Sequence, residues 1–399
     1  MNSDESQSSS RHNHFQRYFQ YAESILATYN GVNPFHLFLK KYFAHNKKHG
    51  SRDRKIISSL CYNLFRLGGG VSYEMSFEEK VSLSIYLSET TSSSILENLS
   101  KDWNDSIHES LEHKIITVRE RFNPNKVFPF LHALSAQIDP GAFNLSFLRQ
   151  PKVFIRIRPG FESIVTDKIF QAGLHYERLN NQCIAFSSNE RISEVIEINK
   201  EAVIQDCNSQ QTLNIVKNKV PDEMLAVWDC CAGSGGKSIL AFDTFKKANL
   251  TVSDKRKSIL QNLRIRFERA GIKDYKLILA NLERPAIEVK GPFDLIIADV
   301  PCSGSGTWSR TPEQLTFFKH EEIEKYSSLQ KKIIENVFLQ LKAGGLLLYI
   351  TCSVFAKENE QNVAFIQTTL PLKLLGTEYL KGYEIGADTL FVALFRKGC

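Results

Sequence analysis

From residue 221 onward, short apolar runs each lead into a polar or glycine-rich turn and then into a helix-patterned segment. MLAVWDCCA is followed by GSGGK and a helical stretch, and LTVSD, YKLILAN, FDLIIADV and GGLLLYITCS repeat the pattern. Strands separated by helices need crossover connections, so this segment is expected to form an α/β fold: a mostly parallel, doubly wound, Rossmann-like sheet with helices on both faces. In such sheets ligands bind beyond the carboxyl ends of the strands, which makes the strand-terminal residues the ones to read.

The rest of the chain has a different character. After the polar leader MNSDESQSSSRHNH, the segment from Phe15 to Asn144 carries apolar residues at helical spacing, most clearly in the stripe Ile56, Ile57, Leu60, Cys61, Leu64 and Phe65. The turn before that stripe, NKKHGSRDRK, holds Lys47, Lys48, Arg52, Arg54 and Lys55. These cations either grip phosphates or belong to a solvated loop feeding the helix. Gly68-Gly69-Gly70 interrupts the region, and further helices are expected from Phe77 to about Leu134. VFIRIRP then alternates as a strand, FESIVTDKIFQAG reads as an amphipathic helix closing at Gly173, and QCIAFSS reads as a second strand. Three domains are expected: an all-α domain over 1–144, a small α+β domain over 145–215 and the doubly wound domain over 216–399.

Of the 399 residues, 42% are hydrophobic and 24% charged, which excludes a disordered or collagen-like chain. The leader lacks the apolar core of a secretory signal, and no apolar run approaches the ~20 residues that span a bilayer, so a cytoplasmic protein with no membrane partner is expected. Eight cysteines, none in a C-x-x-C pair, are too sparse for a disulfide scaffold; reduced thiols and no metal site are expected. The net charge of +6 permits an acidic partner without demanding one. Residues 216 onward hold 26 Lys and Arg against 21 Asp and Glu, so nearly all the surplus lies there.

The strand ends carry the chemistry. DCCAGSGGKS, Asp229 to Ser238, misses the dinucleotide fingerprint because serine stands at 238, and misses the phosphate loop because cysteine stands at 231. What remains is a glycine turn that lets a ligand approach the backbone at a helix start, or a tight connection with no ligand. Asp254 ends the next strand and is placed either to accept from ribose hydroxyls or to cap a helix. Asn281 ends the third, as an adenine contact or an ordinary turn residue. The fourth strand ends in DVPCSGSGTW and a later one in YITCS, which would bring Cys302 and Cys352 to one crevice with Asp299. A thiol beside Lys237 would have its pKa lowered and become a competent nucleophile. The helix after Asp254 carries Lys255, Arg256, Lys257, Arg264, Arg266 and Arg269, which either track phosphates or decorate an outer face.

Asp229 to Lys237 resembles the D-x-C-A-A-P-G-G-K signature, DVPCSGSG resembles D-A-P-C-S-G-x-G, and ITCS matches the T-C-S signature of the RsmB/Nop/Sun family of RNA cytosine-C5 methyltransferases. VIQDCNSQ looks like the family's V-Q-D-x-S-S-Q segment, the first region resembles the NusB-like RNA-binding domain of the RsmB branch, and the α+β unit resembles the family's RNA-contacting domain. The resemblance implies S-adenosylmethionine as methyl donor, held by Cys231, Ala232, Gly233, Ser234, Gly235, Gly236 and Lys237, by Asp254 at the ribose, by Asn281 near the adenine, and by Asp299. It carries over Cys352 as the nucleophile and Cys302 as the residue that helps release product.

Elementary chemistry asks for that division of labour. Carbon 5 of cytosine is too weak a nucleophile to take a methyl group unaided, and a thiolate adding at carbon 6 converts the ring to an enamine-like nucleophile. Removing the carbon-5 proton and expelling the cysteine then need a base, for which a second thiol nearby is suited. Asp299, with Lys237 as a second contact, would stabilise charge at ring nitrogen 3 and the exocyclic amine. The target base must be unstacked, which costs least in a loop or single strand.

The family's A-A-P-G-G-K becomes Ala232-Gly233-Ser234-Gly235-Gly236-Lys237, and asparagine stands at 281 in place of the common acidic residue, so weaker donor binding is expected. The expected activity is cytosine-C5 methylation of ribosomal RNA by a monomer, since the first domain points to the RsmB branch. Alternatives are the same chemistry on transfer RNA, or a non-catalytic RNA-binding assembly factor. A DNA cytosine methyltransferase would place its nucleophile in the P-C motif, and an amino-group methyltransferase would carry N-P-P-[YF] where VPCS stands.

Overall fold

The computed structural model of the chain describes residues 2–188, 190–220, 225–245, 247–285 and 288–398. Cys399, among the eight cysteines counted above, lies outside them. The chain gathers into two compact units. The first comprises the chain up to His132, Asp139–Gln150 and Trp308–Lys319; the second comprises Ala133–Ile138, Pro151–Thr307 and the chain from His320. Among the described residues no helix is long and apolar enough to cross a membrane.

Helices Asn2–Thr28, Phe35–His45, Ser51–Arg66 and Phe77–Ser88 open the first unit, followed by shorter ones up to Pro140–Ser146. The stripe on Ser51–Arg66 is centred on Ile57, Leu60, Cys61 and Phe65, all buried, with Ile56 and Leu64 half-buried at its edges. Helix Phe77–Ser88 starts at a capping box in which Ser76 Oγ accepts from the Glu79 N–H and Glu79 returns a bond to the Ser76 N–H. At the break in the glycine run Gly68 has φ +50°, and a Cβ there would lie 2.1 Å from the Val127 carbonyl oxygen, so no other residue fits. Trp308 to Lys319 complete this unit. Trp308 is 1% exposed and packs at 5.6 Å from Phe128 and 4.8 Å from Phe318. The buried Glu313 accepts from the Phe35 N–H at 3.2 Å, satisfying a donor that the start of helix Phe35–His45 leaves free.

Two sheets make up the second unit. Strands β1 (Val153–Ile157), β2 (Tyr176–Arg178), β3 (Cys183–Phe186) and β4 (Ala202–Ile204) form an antiparallel sheet in the order β2-β3-β1-β4. Helix Glu162–Gln171 lays Val165 and Ile169 against Ile155, Ile157, Ile184 and Phe186. The Ile-Arg alternation of β1 leads one to expect a strand with one wet face. Instead Arg156, and Arg158 just beyond the strand, are buried and share the carboxylate of Asp243.

The larger sheet runs β10-β11-β9-β8-β5-β6-β7. Its strands are β5 (Leu225–Asp229), β6 (Ala248–Asp254), β7 (Tyr275–Leu279), β8 (Phe293–Asp299), β9 (Leu341–Thr351), β10 (Leu372–Leu380) and β11 (Leu390–Lys397). β5 to β9 are parallel, as the alternating pattern requires, whereas β11 is antiparallel to β9 and β10 antiparallel to β11. Helices Gly236–Thr244 and Lys257–Arg269 bury Ile239, Leu263 and Phe267 into the same core as Val227, Val252, Ile297 and Leu348. At ~1.5–3 kcal/mol per fully buried large apolar side chain, this core is the main stabilising contribution in the unit. Strand order reverses between β5 and β8, so their carboxyl ends diverge into a crevice.

Candidate active site

The crevice is a cavity of about 490 Å³. Cys231, Ala232, Gly233, Ser234, Gly236 and Lys237 line it from the end of β5, Asp254 from β6, Asn281 from β7, Asp299 and Cys302 from β8, and Cys352 from β9. Gly235 does not line it. With φ +86° it caps helix Gly236–Thr244, and a Cβ there would stand 2.8 Å from Phe267 and 3.0 Å from Leu263, so this glycine lets the next helix pack beneath the loop. The loop is anchored on both sides: the Cys230 N–H donates to Ile297 O at 3.0 Å and the Ala232 N–H to Ser253 O at 2.9 Å.

Ser238, the residue that breaks the dinucleotide fingerprint, donates its hydroxyl to Asp229 Oδ2 at 2.6 Å. Burial pushes the Asp229 carboxyl up to about 7. Asp254 does not cap the following helix, which begins at Lys257 with Arg256 as its cap residue. Its Oδ2 accepts from the Gly233 N–H at 3.1 Å and from Arg256 Nη2 at 3.0 Å, while Oδ1 accepts from Arg256 N and Nε. Burial works to raise the pKa of Asp254, but these donors and the guanidinium charge outweigh it and hold the carboxyl below its ordinary range. Asn281 Oδ1 accepts from the Glu283 N–H at 3.1 Å, so it makes a turn and lines the cavity at once.

Lys237 Nζ donates to Asp299 Oδ2 at 2.7 Å. Burial disfavours the ammonium charge, but Asp299 and the thiol of Cys352 outweigh that and raise the pKa of Lys237. The two cysteines meet because β8 and β9 are parallel neighbours with Asp299 opposite Ile350. Cys302 Sγ accepts from the Cys352 N–H at 3.3 Å. The expectation that Lys237 lowers a neighbouring thiol pKa is overturned for Cys352. Its hydrogen bond with Cys302, then burial and the nearby Asp299 charge push the thiol well up, and Lys237, engaged by Asp299, offsets only part of this.

The basic helix resolves into separate roles. Arg266 donates to Asn199 Oδ1 at 3.0 Å and to Ser234 Oγ at 2.7 Å, bracing the glycine loop. Lys255 pairs with Glu283 at 2.7 Å, Arg256 clasps Asp254, and Arg264 and Arg269 are exposed. Gln205, Ser209, Glu283 and Ile333 also line the cavity and were not singled out by the sequence. Gln205 lies in the VIQDCNSQ segment, whose resemblance to a family motif was its only signal. Among the described residues no group of three or more His, Cys, Asp or Glu is placed to hold a metal ion.

Residues 211–392 match the 16S rRNA methyltransferase RsmB/F family. The match spans just under half of the chain and is a likeness to that family. Ribosomal RNA small subunit methyltransferase B of Vibrio vulnificus is 31% identical over 177 residues, 44% of this chain and 41% of that protein. The same-named protein of Pasteurella multocida is 26% identical over 273 residues, 62% of this chain and 59% of that protein. The chain thus spans about two fifths to three fifths of the length of the curated relatives it matches. The crystal structure of PH0851 superposes with a TM-score of 0.69 at 20% identity, covering 92% of this chain and 95% of that one, a likeness of fold. S-adenosylmethionine is the donor that the sequence resemblance implies. The residues present suit that molecule: a glycine turn at a helix start, a buried carboxylate at the end of β6 and a polar side chain at the end of β7 share one cavity.

Proposed function

We propose that the chain methylates carbon 5 of a cytosine in ribosomal RNA, with Cys352 as nucleophile and Cys302 in product release. One observation carries this reading: cysteines from two strand-end loops line one cavity beside the Lys237–Asp299 pair, and the Cys352 N–H donates to Cys302 Sγ at 3.3 Å. When bound, S-adenosylmethionine supplies the electrophilic methyl group. The glycine loop, Asp254 and Asn281 hold that donor. Cys352 Sγ adds to carbon 6 of the flipped base, and Asp299 with Lys237 steadies nitrogen 3 and the exocyclic amine as charge develops there. Once carbon 5 carries the methyl group, Cys302 as its thiolate takes the carbon-5 proton, the released electron pair restores the 5,6 double bond, and the carbon–sulfur bond breaks to expel the Cys352 thiolate.

The curated relatives are named for small-subunit ribosomal RNA, which favours that substrate over transfer RNA. We propose RNA contact as well for the helical region 1–144 and the small α+β region 145–215, ahead of a catalytic domain over 216–399. Lys47, Lys48, Arg52, Arg54 and Lys55 are all exposed in the first region, as phosphate contact requires. The test is transfer of a labelled methyl group to small-subunit ribosomal RNA, with bisulfite sequencing to locate the product. Failure to label any cytosine would overturn the reading.

A pH dependence follows from the raised thiol. Below its pKa the reactive thiolate increases tenfold per pH unit, so kcat/KM is expected to climb by about tenfold per unit from pH 7 to 9. A flat profile over that range, measured with saturating donor, would contradict Cys352 as the titrating nucleophile.

A further inference from the structure

Glu358 is a carboxylate with 0% exposure that forms no ion pair among the described residues and lies outside the donor and base machinery described above. Its Oε2 accepts from the Ser303 N–H at 2.9 Å and from Gln330 Nε2 at 2.8 Å, and its Oε1 accepts from Ser353 Oγ at 2.6 Å. Ser303 follows Cys302 directly, and Ser353 follows Cys352. One carboxylate thus holds the residue after each thiol, one oxygen to each loop.

Further bonds converge on the same group. Gln330 Nε2 also donates to Pro301 O at 3.0 Å, fixing the residue before Cys302. Gln330 Oε1 accepts from Asn362 Nδ2 at 2.6 Å and lies 3.0 Å from Tyr349 Oη, whose single hydrogen is donated to the Glu358 carbonyl at 2.6 Å. Across the loops, Ser303 Oγ donates to Ser353 Oγ at 3.1 Å and the Val354 N–H donates to Ser305 Oγ at 3.0 Å. A carboxylate with no cationic partner is costly to bury, and burial raises the pKa of Glu358 against the hydrogen bonds that lower it. A residue kept there at such a cost has a geometric task, and the bonds name it.

We propose that Glu358 is a positioning residue that staples the Cys302 and Cys352 loops together and so sets the contact between the two thiols. This rests on the reading of those thiols as the reacting pair, yet it can be tested without the reaction. The variants are Glu358→Ala, which removes both arms, and Glu358→Gln. Glutamine keeps an acceptor for the Ser303 N–H and Gln330, and its amide can donate to Ser353 Oγ once the Ser303 hydroxyl turns from Ser353 to Ser305 Oγ, 3.1 Å away.

The first measurement is the rate at which iodoacetamide alkylates Cys352 in the full-length protein from pH 7 to 9, read by mass spectrometry of its peptide. Cutting the staple frees Cys352 from Cys302 and from burial, so Glu358→Ala is expected to alkylate at least tenfold faster at pH 8, with the pH midpoint moved down. Glu358→Gln is expected to stay within threefold of the parent. The second is methylation: Glu358→Ala is expected to lose about a hundredfold in kcat, the cost of misplacing reacting groups by about 1 Å, with donor affinity by calorimetry unchanged because the carboxylate does not touch the donor loop. Should Glu358→Ala not fold, Ser353→Ala removes one arm alone and is expected to shift alkylation the same way by a smaller factor. Unchanged alkylation in both Glu358→Ala and Ser353→Ala, or alkylation in Glu358→Gln that matches Glu358→Ala, would overturn the staple. A parent protein that fails to methylate RNA while the alkylation differences hold would overturn the proposed function and leave the staple standing.

Discussion

Cys352→Ala is expected to abolish both methyl transfer and any covalent protein–RNA adduct, whereas Cys302→Ala is expected to accumulate the adduct while turnover stops. Losing the nucleophile leaves no route to an activated ring, so the fall is roughly 10⁴-fold or more, the scale seen when a covalent catalyst is deleted. Losing the base leaves addition possible but elimination blocked. The structure makes this contrast clean. At 302 alanine deletes the acceptor of a single 3.3 Å bond from the Cys352 N–H, which costs about 1 kcal/mol and leaves the Cys352 loop tied by Ser353 and Thr351. The measurement is a denaturing gel of enzyme incubated with RNA and donor, read for the slow-migrating adduct. An adduct that persists in Cys352→Ala and vanishes in Cys302→Ala would reverse the two assignments.

How far a single sequence could lead to this site depends on which interactions are local. β5 to β9 were legible because strands buried on both faces read as continuous apolar runs, and their ends announce a crevice in any parallel sheet. That Cys302 and Cys352 touch was not legible from spacing, since it follows from β8 and β9 being neighbours in one register. The protonation of Cys352 was misjudged for a related reason: Lys237 does act to lower the thiol pKa, but the neighbouring Cys302, burial and the Asp299 charge, none of them visible in the spacing, outweigh it. β10 and β11 escaped the helix–strand alternation because they form an antiparallel pair with no crossover helix between them. Trp308 closes a motif whose cysteine lines the crevice, yet it is buried among phenylalanines of the first unit, a partnership that only the folded chain reveals. Glu358 gave no signal, because an acidic residue in a polar stretch such as Lys357-Glu358-Asn359-Glu360 reads as surface.

The arginines of β1 are the same kind of surprise, and they support the largest stability effect expected here. Asp243, at 6% side-chain exposure, accepts from Arg156 Nη1 at 2.7 Å and from Arg158 Nη2 at 2.7 Å, so two buried guanidiniums share one carboxylate. Arg158 Nη1 spends its remaining donors on carbonyls, including Ala270 O at 2.7 Å, while Arg156 Nη2 is buried without a partner among the described residues. The cluster therefore already carries excess positive charge, and burial lowers the pKa of Arg156 although Asp243 opposes this. Among the described residues Asp243 is the only carboxylate bound to either arginine; Asp243→Ala removes it and leaves two uncompensated buried charges, a change that costs about 3–5 kcal/mol. Against a typical total of 5–15 kcal/mol this is a large fraction, and at about 2–4 °C per kcal/mol it corresponds to a melting temperature lower by roughly 6–20 °C. Asp243→Asn keeps an acceptor but not the charge and is expected to fall between. The decisive comparison is a triple variant, Asp243→Leu with Arg156→Met and Arg158→Met, because replacing a buried ionic cluster by apolar groups of similar volume is often neutral. If the triple variant regains most of the loss in urea unfolding, the cost of Asp243→Ala is that of stranded charge; if it remains as unstable as the single variant, the cluster contributes directional hydrogen bonds that packing cannot replace. Arg158 reaches the last turn of the helix whose Phe267 and Leu263 pack under Gly235, so a cluster on β1, an inner strand of the small sheet, bears on the shape of the donor loop. A loss in Asp243→Ala below about 1 kcal/mol would mean that the arginines find water or other acceptors once the carboxylate is gone.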